Sequence, residues 1–597
     1  MKRDKEKNHK VIQQNLLNQE RSDNWYKIII KNLGLVFLAS LLFSASFPNL
    51  VIENGIPFFA WFAYIPILIV IGKCSLLACI GWGAVYGFLS YGLFNYWLGT
   101  FHPMAGTIVY SVYLFYLAVV FLFFKLADIL FPKRSYLVQW FIWLAYEYLC
   151  TQGFLGYSYG VTGYSQWRII PLIQIAGITG VWGVCALVTF PSFWLAGAFK
   201  ERGTDAKGLN LQQTTQTSAS SLSNLFSIIR DVLYRFVKNK LSVFLRKETV
   251  SAIIWAIALA AAFTFGFITN KDFSSYPSAN ITLIQHNTDP WEASKAPTSM
   301  QVHEAYRNDL TILKRLSDEA LASRSDTQLV VWPETAFVPR IYWHYTYRDD
   351  PESWITVREL LNYLSAQSIP FLIGNDDARM DSAKNPNSND KHRIDYNASL
   401  LFEKDQITNV YRKLHLVPFT EHFPYEKQLP FMYKALKEAD THFWEKGDEE
   451  TVFQAQGFTF STPICFEDTF GYLSRNFIRR GADILVNISN DAWSNSLPAQ
   501  NQHLSMAVFR AVENRRSMVR STASGQTCAI DPAGRIIAMA PPFTEAWLNV
   551  SVPVMKGETI YTLCGDYTGI TFTAIAAALL LFGMVLCIIN NLKKVRK

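Results

Sequence analysis

The apolar residues of this 597-residue chain are gathered into stretches as long as a lipid bilayer is thick, and that segregation leaves few folds open. A helix needs about 20 apolar residues to cross the hydrocarbon core. Such stretches run at 27–46, 56–72, 75–97, 105–131, 136–152, 170–198, 250–269 and 567–590, the second and fifth being the weakest. Buried helices of a soluble protein do not explain so long a region with so few charges. Between the seventh and eighth stretches lies one hydrophilic region, 270–566, large enough to build its own core. The expected architecture is a polytopic α-helical membrane domain of about eight spans with a separate folded domain set between the last two.

Lys and Arg in the loops set the expected orientation, because they favour the cytoplasmic side. The tail 1–26 begins MKRDKEKNHK, and Lys73, Lys133 and Arg134 mark the second and fourth connections. The connection 199–249 is rich in Lys and Arg, and the tail 591–597 ends KKVRK. By contrast 47–55 and 98–104 carry neither, and the fifth connection holds only Arg168. Six spans at 27–198, a seventh at 250–269 and an eighth at 567–590 then put both termini in the cytoplasm and 270–566 outside. The SAS at 44–46 resembles a signal cleavage site, but the long polar leader and the spans that follow argue for an uncleaved anchor. Within 199–249, the Thr/Ser/Gln-rich 203–225 is expected to be disordered. The apolar and basic run after it is expected to form a helix, on the cytoplasmic leaflet or packed on the bundle. The net charge of +7 is mostly these loops facing anionic headgroups, so it suggests membrane lipid and no nucleic acid as a partner.

The outer region alternates ITLIQHN, QLVVWPE, PFLIGND, ASLLFE, FTFSTPICFE, DILVNISND and CAIDPAGRIIAMA, which read as strands, with helical spacing over 299–323, 352–367, 468–480 and 500–517. That pattern predicts a layered α/β domain, with DPAGR at 531–535 turning between two antiparallel strands. Three residues at the ends of apolar runs carry chemistry. Cys465 follows FTFSTPI and is followed at once by Phe466, Glu467 and Asp468, so the thiol is expected at a strand-to-helix elbow. Backbone N–H groups there would face an oxyanion and lower the thiol pKa. Glu334 closes QLVVWPE beside Trp332 and Pro333, a poorly solvated place that suits a general base. Lys413 lies among Arg412, His415 and Glu421, a dense polar cluster in an apolar run, and such clusters need partners. Taken by type alone, Cys465 could be a core filler, Glu334 a helix cap and Lys413 a surface lysine. Cys465, Cys528 and Cys564 have no disulfide or metal spacing, His415, His422 and His503 are isolated, and no Gly-rich phosphate loop is present.

A strand-end Glu, a Lys in YRKLHLVPF-x-E and a Cys in ICFE, in that order, resemble the nitrilase superfamily. With seven spans before and one after, SNDAW at 489–493, and QHLSMAVFRAVENRRSMVRSTASGQTCAIDPAGRI at 502–536, nearly the whole chain resembles the superfamily's membrane-embedded branch, the apolipoprotein N-acyltransferases. The resemblance implies an extracytoplasmic αββα sandwich in the cell inner membrane, no cofactor and no metal. It makes Cys465 the nucleophile, Glu334 the base and Lys413 the oxyanion-stabilising cation. Glu421 would orient the triad, Glu467 is the acidic residue two after the cysteine, and Phe466, Trp493 and Trp291 are expected at the substrate pocket. Ser494 and Phe466 stand where relatives often carry Phe and Tyr, and the 199–249 loop looks long, which bears on the pocket rather than the chemistry.

The implied partners are a phospholipid acyl donor, taken as phosphatidylethanolamine through its sn-1 ester, and a diacylated apolipoprotein whose N-terminal amine accepts the chain. FMYKAL at 431–436 and IYWHYTY at 341–347 are candidate lids or membrane-dipping loops, or else local core. Competing readings are another nitrilase-type amidohydrolase, a non-catalytic membrane scaffold, and a transporter for which Lys125, Asp128 and Glu147 are the few intramembrane candidates.

Overall fold

The computed structural model describes residues 25–101, 103–200, 242–289, 296–381, 393–438 and 442–595. The segment 203–225, most of the basic run after it, Trp291 and the tails up to residue 24 and from residue 596 lie outside those residues. Among the described residues, six helices are long and apolar enough to cross a membrane: Trp25–Ala45, Leu76–Phe94, Ala105–Leu130, Val181–Ala198, Glu248–Thr269 and Tyr567–Lys594. The two weakest expected spans are also helical but shorter. One is a 3-10 turn, Pro57–Trp61, followed by Ile65–Lys73, and the other is the 15-residue Ser135–Leu149. The stretch expected at 170–198 breaks into two short turns before Val181.

Without a hydrophobic force between helices in lipid, close packing of small residues holds them together. Gly83 and Gly87 lie one turn apart on Leu76–Phe94, and a Cβ at either would strike the backbone carbonyls of Leu117 and Tyr113 on the neighbouring helix. Gly266 meets Pro171 in the same way.

The region between the last two membrane-length helices folds into two six-stranded sheets. The first has strand order β12-β1-β2-β3-β4-β5, from β1 (Ser278–Gln285), β2 (Leu329–Val331), β3 (Phe371–Met380), β4 (Arg393–Glu403), β5 (Gln406–Arg412) and β12 (Ala546–Pro553). The second has order β11-β10-β9-β8-β7-β6, from β6 (Phe453–Ala455), β7 (Phe458–Ser461), β8 (Ile484–Ser489), β9 (Met518–Thr522), β10 (Cys528–Ile530) and β11 (Ile536–Met539). Both centres are parallel and their flanks antiparallel. DPAGR turns β10 into β11 as expected.

Successive side chains on a strand face opposite ways, and here both faces are buried. Leu329 and Val331 belong to the core shared with the second sheet, while Val330 and Trp332 pack with Leu310, Leu313 and Leu360 of the helices Ser299–Ser323 and Pro351–Ser365. The helices Gly471–Arg479 and Leu497–Asn514 accompany the second sheet. The result is an αββα sandwich. The helix expected at 500–517 starts three residues earlier because Pro498 sits in its first turn, and Arg515 in the left-handed region ends it.

Candidate active site

Glu334, Lys413 and Glu421 meet in one buried cluster. Glu334 lies just past the end of β2, where Gly374 on β3 lets the chain pass, since a Cβ there would strike the carbonyl of Pro333. Lys413 follows the last residue of β5 and its side chain is 0% exposed. Its Nζ donates to Glu334 Oε1 at 3.2 Å and to Glu421 Oε1 at 2.8 Å. Glu421 Oε2 in turn accepts the N–H of Val417 at 2.8 Å. Burial by itself would push the Lys413 ammonium down, but the carboxylates of Glu334 and Glu421 outweigh it and hold the pKa above the ordinary lysine range.

Two asparagines missed in the sequence complete the carboxylate's surroundings. Asn397 Nδ2 donates to Glu334 Oε1 at 2.8 Å, and the backbone N–H of Asn490 donates to Oε2 at 2.8 Å. Asn397 sits in the middle of β4, where nothing in the sequence separates a ligating asparagine from an ordinary strand residue.

Cys465 is at an elbow, as expected, though β7 ends at Ser461 and an extended Thr462–Ile464 leads into it. Its φ is 50°, a conformation costing an L-residue about 1–2 kcal/mol. The surroundings hold it there. Ile464 bridges Ile488, and Asn487 Nδ2 donates to the carbonyl of Pro463 at 3.0 Å and of Cys465 at 3.4 Å. The expectation of a lowered thiol pKa is corrected. Burial pushes it well above the usual range and the charge of Glu334 adds to that, while Lys413 pulls the other way without prevailing. A thiol pushed in that direction calls for a neighbouring base.

Glu467 is fully buried and fastens two loops together. It accepts the Tyr411 hydroxyl at 2.8 Å, the N–H of Leu414 at 2.7 Å, of His415 at 2.9 Å and of Ile464 at 2.8 Å. Burial still pushes its carboxyl up to about 7. Phe466 packs edge-on to Phe470 at 4.9 Å between ring centres. Trp493 lies in the 3-10 turn Ala492–Ser494. Of the two candidate lids, 341–347 is a helix with Ile341, Trp343 and His344 buried, so it is local core. Pro430–Glu438 leaves Phe431 70% exposed, while its Tyr433 stacks on Phe423 at 6.4 Å between ring centres.

His503, isolated in the sequence, stands between two carboxylates: its Nε2 is 2.6 Å from Asp468 Oδ1 and its Nδ1 3.3 Å from Asp491 Oδ1. Arg520 bridges the same pair. Asp376, Asp395 and His442 also bring one metal-ligand atom each within 4.8 Å. Arg340 lies 2.9 Å from Asp395 and 3.5 Å from Asp376, and Arg393 2.7 Å from Asp395, so these carboxylates already have cations and the donor set does not fit a metal.

A half-buried thiol flanked by a carboxylate and a cation that touch each other suits acyl transfer through a covalent thioester. Two family models match the chain: Carbon-nitrogen hydrolase over residues 280–559, and Apolipoprotein N-acyltransferase N-terminal domain over residues 39–194. Apolipoprotein N-acyltransferase 1 of Treponema denticola is 43% identical over 94% of this chain and 97% of its own length. Apolipoprotein N-acyltransferase 1 of Treponema pallidum is 41% identical over 95% of this chain and 98% of its own. Among solved structures, a branch 10 nitrilase-superfamily protein of Saccharomyces cerevisiae aligns with a TM-score of 0.33 and 20% identity, over 49% of this chain and 95% of that one.

Proposed function

The chain belongs to the apolipoprotein N-acyltransferase family, and from that membership we propose how its own residues move the acyl group. It is a multi-pass membrane enzyme of the nitrilase type, acting on phospholipid and lipoprotein. Glu334 takes the proton of the Cys465 thiol, and the sulfur attacks an ester carbonyl of the donor, here assigned as sn-1 of phosphatidylethanolamine. Lys413 and the N–H of Phe466 stabilise the tetrahedral oxyanion. The bond between the acyl carbon and the glycerol oxygen then breaks, the leaving alkoxide takes the proton from Glu334, and lysophospholipid departs from a thioester on Cys465. The α-amine of the diacylated cysteine attacks that thioester, gives its proton to Glu334 and leaves as an amide, and the thiolate is reprotonated. Glu421 keeps Lys413 in place and Glu467 keeps the two loops together. We assign the acyl pocket to Phe466, Trp493 and Trp291. The domain is assigned to the periplasmic face and both termini to the cytoplasm. A catalytic domain seated on its own spans draws the donor from the bilayer and keeps water from the thioester.

The observation that carries this reading is the Glu334–Lys413–Glu421 ion-pair cluster, in which Glu334 and Lys413 lie close enough to Cys465 to bear on its charge. Intact-protein mass spectrometry after incubation with phosphatidylethanolamine alone tests it. Wild type should gain one fatty-acyl mass, released by hydroxylamine, and Cys465→Ser should gain none that hydroxylamine releases. Adding a diacylated lipopeptide should discharge it. A folded wild type that gains no such mass from any of several phospholipids sinks the mechanism.

A further inference from the structure

The helix Leu497–Asn514 is buried along nearly its whole length, and its polar side chains reach in two directions. One set holds the membrane bundle. Asn501 Nδ2 donates to the carbonyl of Glu53 at 3.3 Å, and Gln502 Nε2 to that of Pro48 at 2.9 Å and of Phe94 at 3.2 Å. Gln502 Oε1 accepts the Trp97 indole at 3.0 Å. The other set reaches the turn Cys465–Thr469, through His503 on Asp468 and Arg510 on Thr469.

Arg510 does both at once. Its side chain is 1% exposed. Nη1 donates to the carbonyl of Thr469 at 3.0 Å, at the far end of the turn that begins with Cys465. Nη2 donates to the Tyr164 hydroxyl at 3.0 Å, in the membrane half, and to Glu513 Oε1 at 3.0 Å. Glu513 Oε1 also accepts the N–H of Val181, where a membrane helix starts. Tyr164 is anchored in turn, because its 3-10 turn Thr162–Gln166 begins on Glu147, whose Oε1 takes both the hydroxyl and the N–H of Thr162. Gly471, two residues past the turn, packs so closely that a Cβ there would strike the Tyr561 hydroxyl and approach Arg510 Nη1.

A buried ion pair is weak evidence for stability, since apolar residues of like volume often do as well. An arginine here makes sense for its fork, which ties three separate segments in fixed geometry. We propose that Arg510 is a positioning residue that ties the Cys465 turn to the membrane bundle, so that the nucleophile is aligned only while the two halves of the molecule are docked. The proposal rests on Cys465 being the nucleophile.

The test uses the full-length protein in phospholipid nanodiscs with Tyr164→Phe, which removes one hydroxyl and leaves Arg510, and Arg510→Gln and Arg510→Lys. Thioester formation on Cys465 is followed in single turnover against donor concentration, with Cys465 alkylation by iodoacetamide as a readout that needs no donor. Loss of alignment costs about 100-fold when reacting atoms move by an ångström. Arg510→Gln should lower the maximal rate by about that factor with half-saturation unchanged within about twofold. Tyr164→Phe should lower it by about tenfold, the value of one hydrogen bond, and Arg510→Lys should restore part. A Tyr164→Phe protein that melts like wild type and forms thioester as fast overturns the proposal, and so does a loss confined to half-saturation. If wild type forms no thioester, the mechanism above has failed instead. Alkylation then decides: an unchanged rate in Tyr164→Phe overturns the tie, and a changed one supports it.

Discussion

At the scale of single residues, Lys413 is where stability and chemistry are hardest to separate. Its ammonium is the shared cation of the buried Glu334 and the half-buried Glu421, and without it the two carboxylates would face each other with no cation between them. Lys413→Met should therefore destabilise the fold by about 3–5 kcal/mol, the usual cost of stranding buried charge. Adding Glu421→Gln should recover part of that, as thermal melts of the single and double variants would tell. The chemistry has a sign as well. Lys413 pulls the Cys465 thiol toward ionisation, so its loss should move the iodoacetamide alkylation profile of Cys465 to higher pH. A profile that stays put would mean that the cation does not act on the sulfur. Glu334, Lys413 and Cys465 were legible because each interrupts an apolar run at a strand end. Asn397 was not, since a polar side chain inside β4 becomes a ligand only when β2 and β5 bring Glu334 and Lys413 beside it. His503 was hidden for the same reason, its partners lying 35 and 12 residues away.

At the scale of elements, the fastening by Glu467 matters more than its position two after the cysteine suggests. Four donors converge on one carboxylate: Tyr411 from β5, Leu414 and His415 from the loop that follows Lys413, and Ile464 from the segment that runs into Cys465. A glutamine there would turn an N–H toward N–H and O–H donors. Glu467→Gln should cost about 1–3 kcal/mol for the groups left unmet and slow thioester formation. Equal melting and equal rates in the variant would remove Glu467 from the account. Element boundaries in the outer domain were largely readable, and Ser299–Ser323 matches the expected helix end to end because Thr298 caps it and its apolar stripe is regular. The strand expected to run into Cys465 stops at Ser461, because Pro463 has no N–H for a ladder and Cys465 itself leaves extended geometry.

For the whole molecule, hydropathy revealed the division into a bundle and an inserted sandwich, and loop cations suggested which way it faces. The exposed Cys564, just before the last membrane-length helix, offers a test of that facing. A membrane-impermeant maleimide applied to spheroplasts should label Cys564 and leave the buried Cys528 untouched. Labelling of Cys564 only after the membrane is opened would reverse the proposed orientation. What hydropathy could not supply is how the halves grip each other, since Gln502, Arg510 and Glu513 look like the polar face of an ordinary surface helix until the bundle is set against them.

That grip has a bearing on how the protein is made. The sites that receive Leu497–Asn514 are Pro48, Glu53, Phe94, Trp97, Tyr164 and Val181, all translated long before it, and five of the six membrane-length helices precede it. The helix thus emerges from the ribosome to find its receptor already inserted. A nascent chain that has produced Cys465 but not yet this segment lacks the hydrogen bonds that His503 and Arg510 make to the turn Cys465–Thr469.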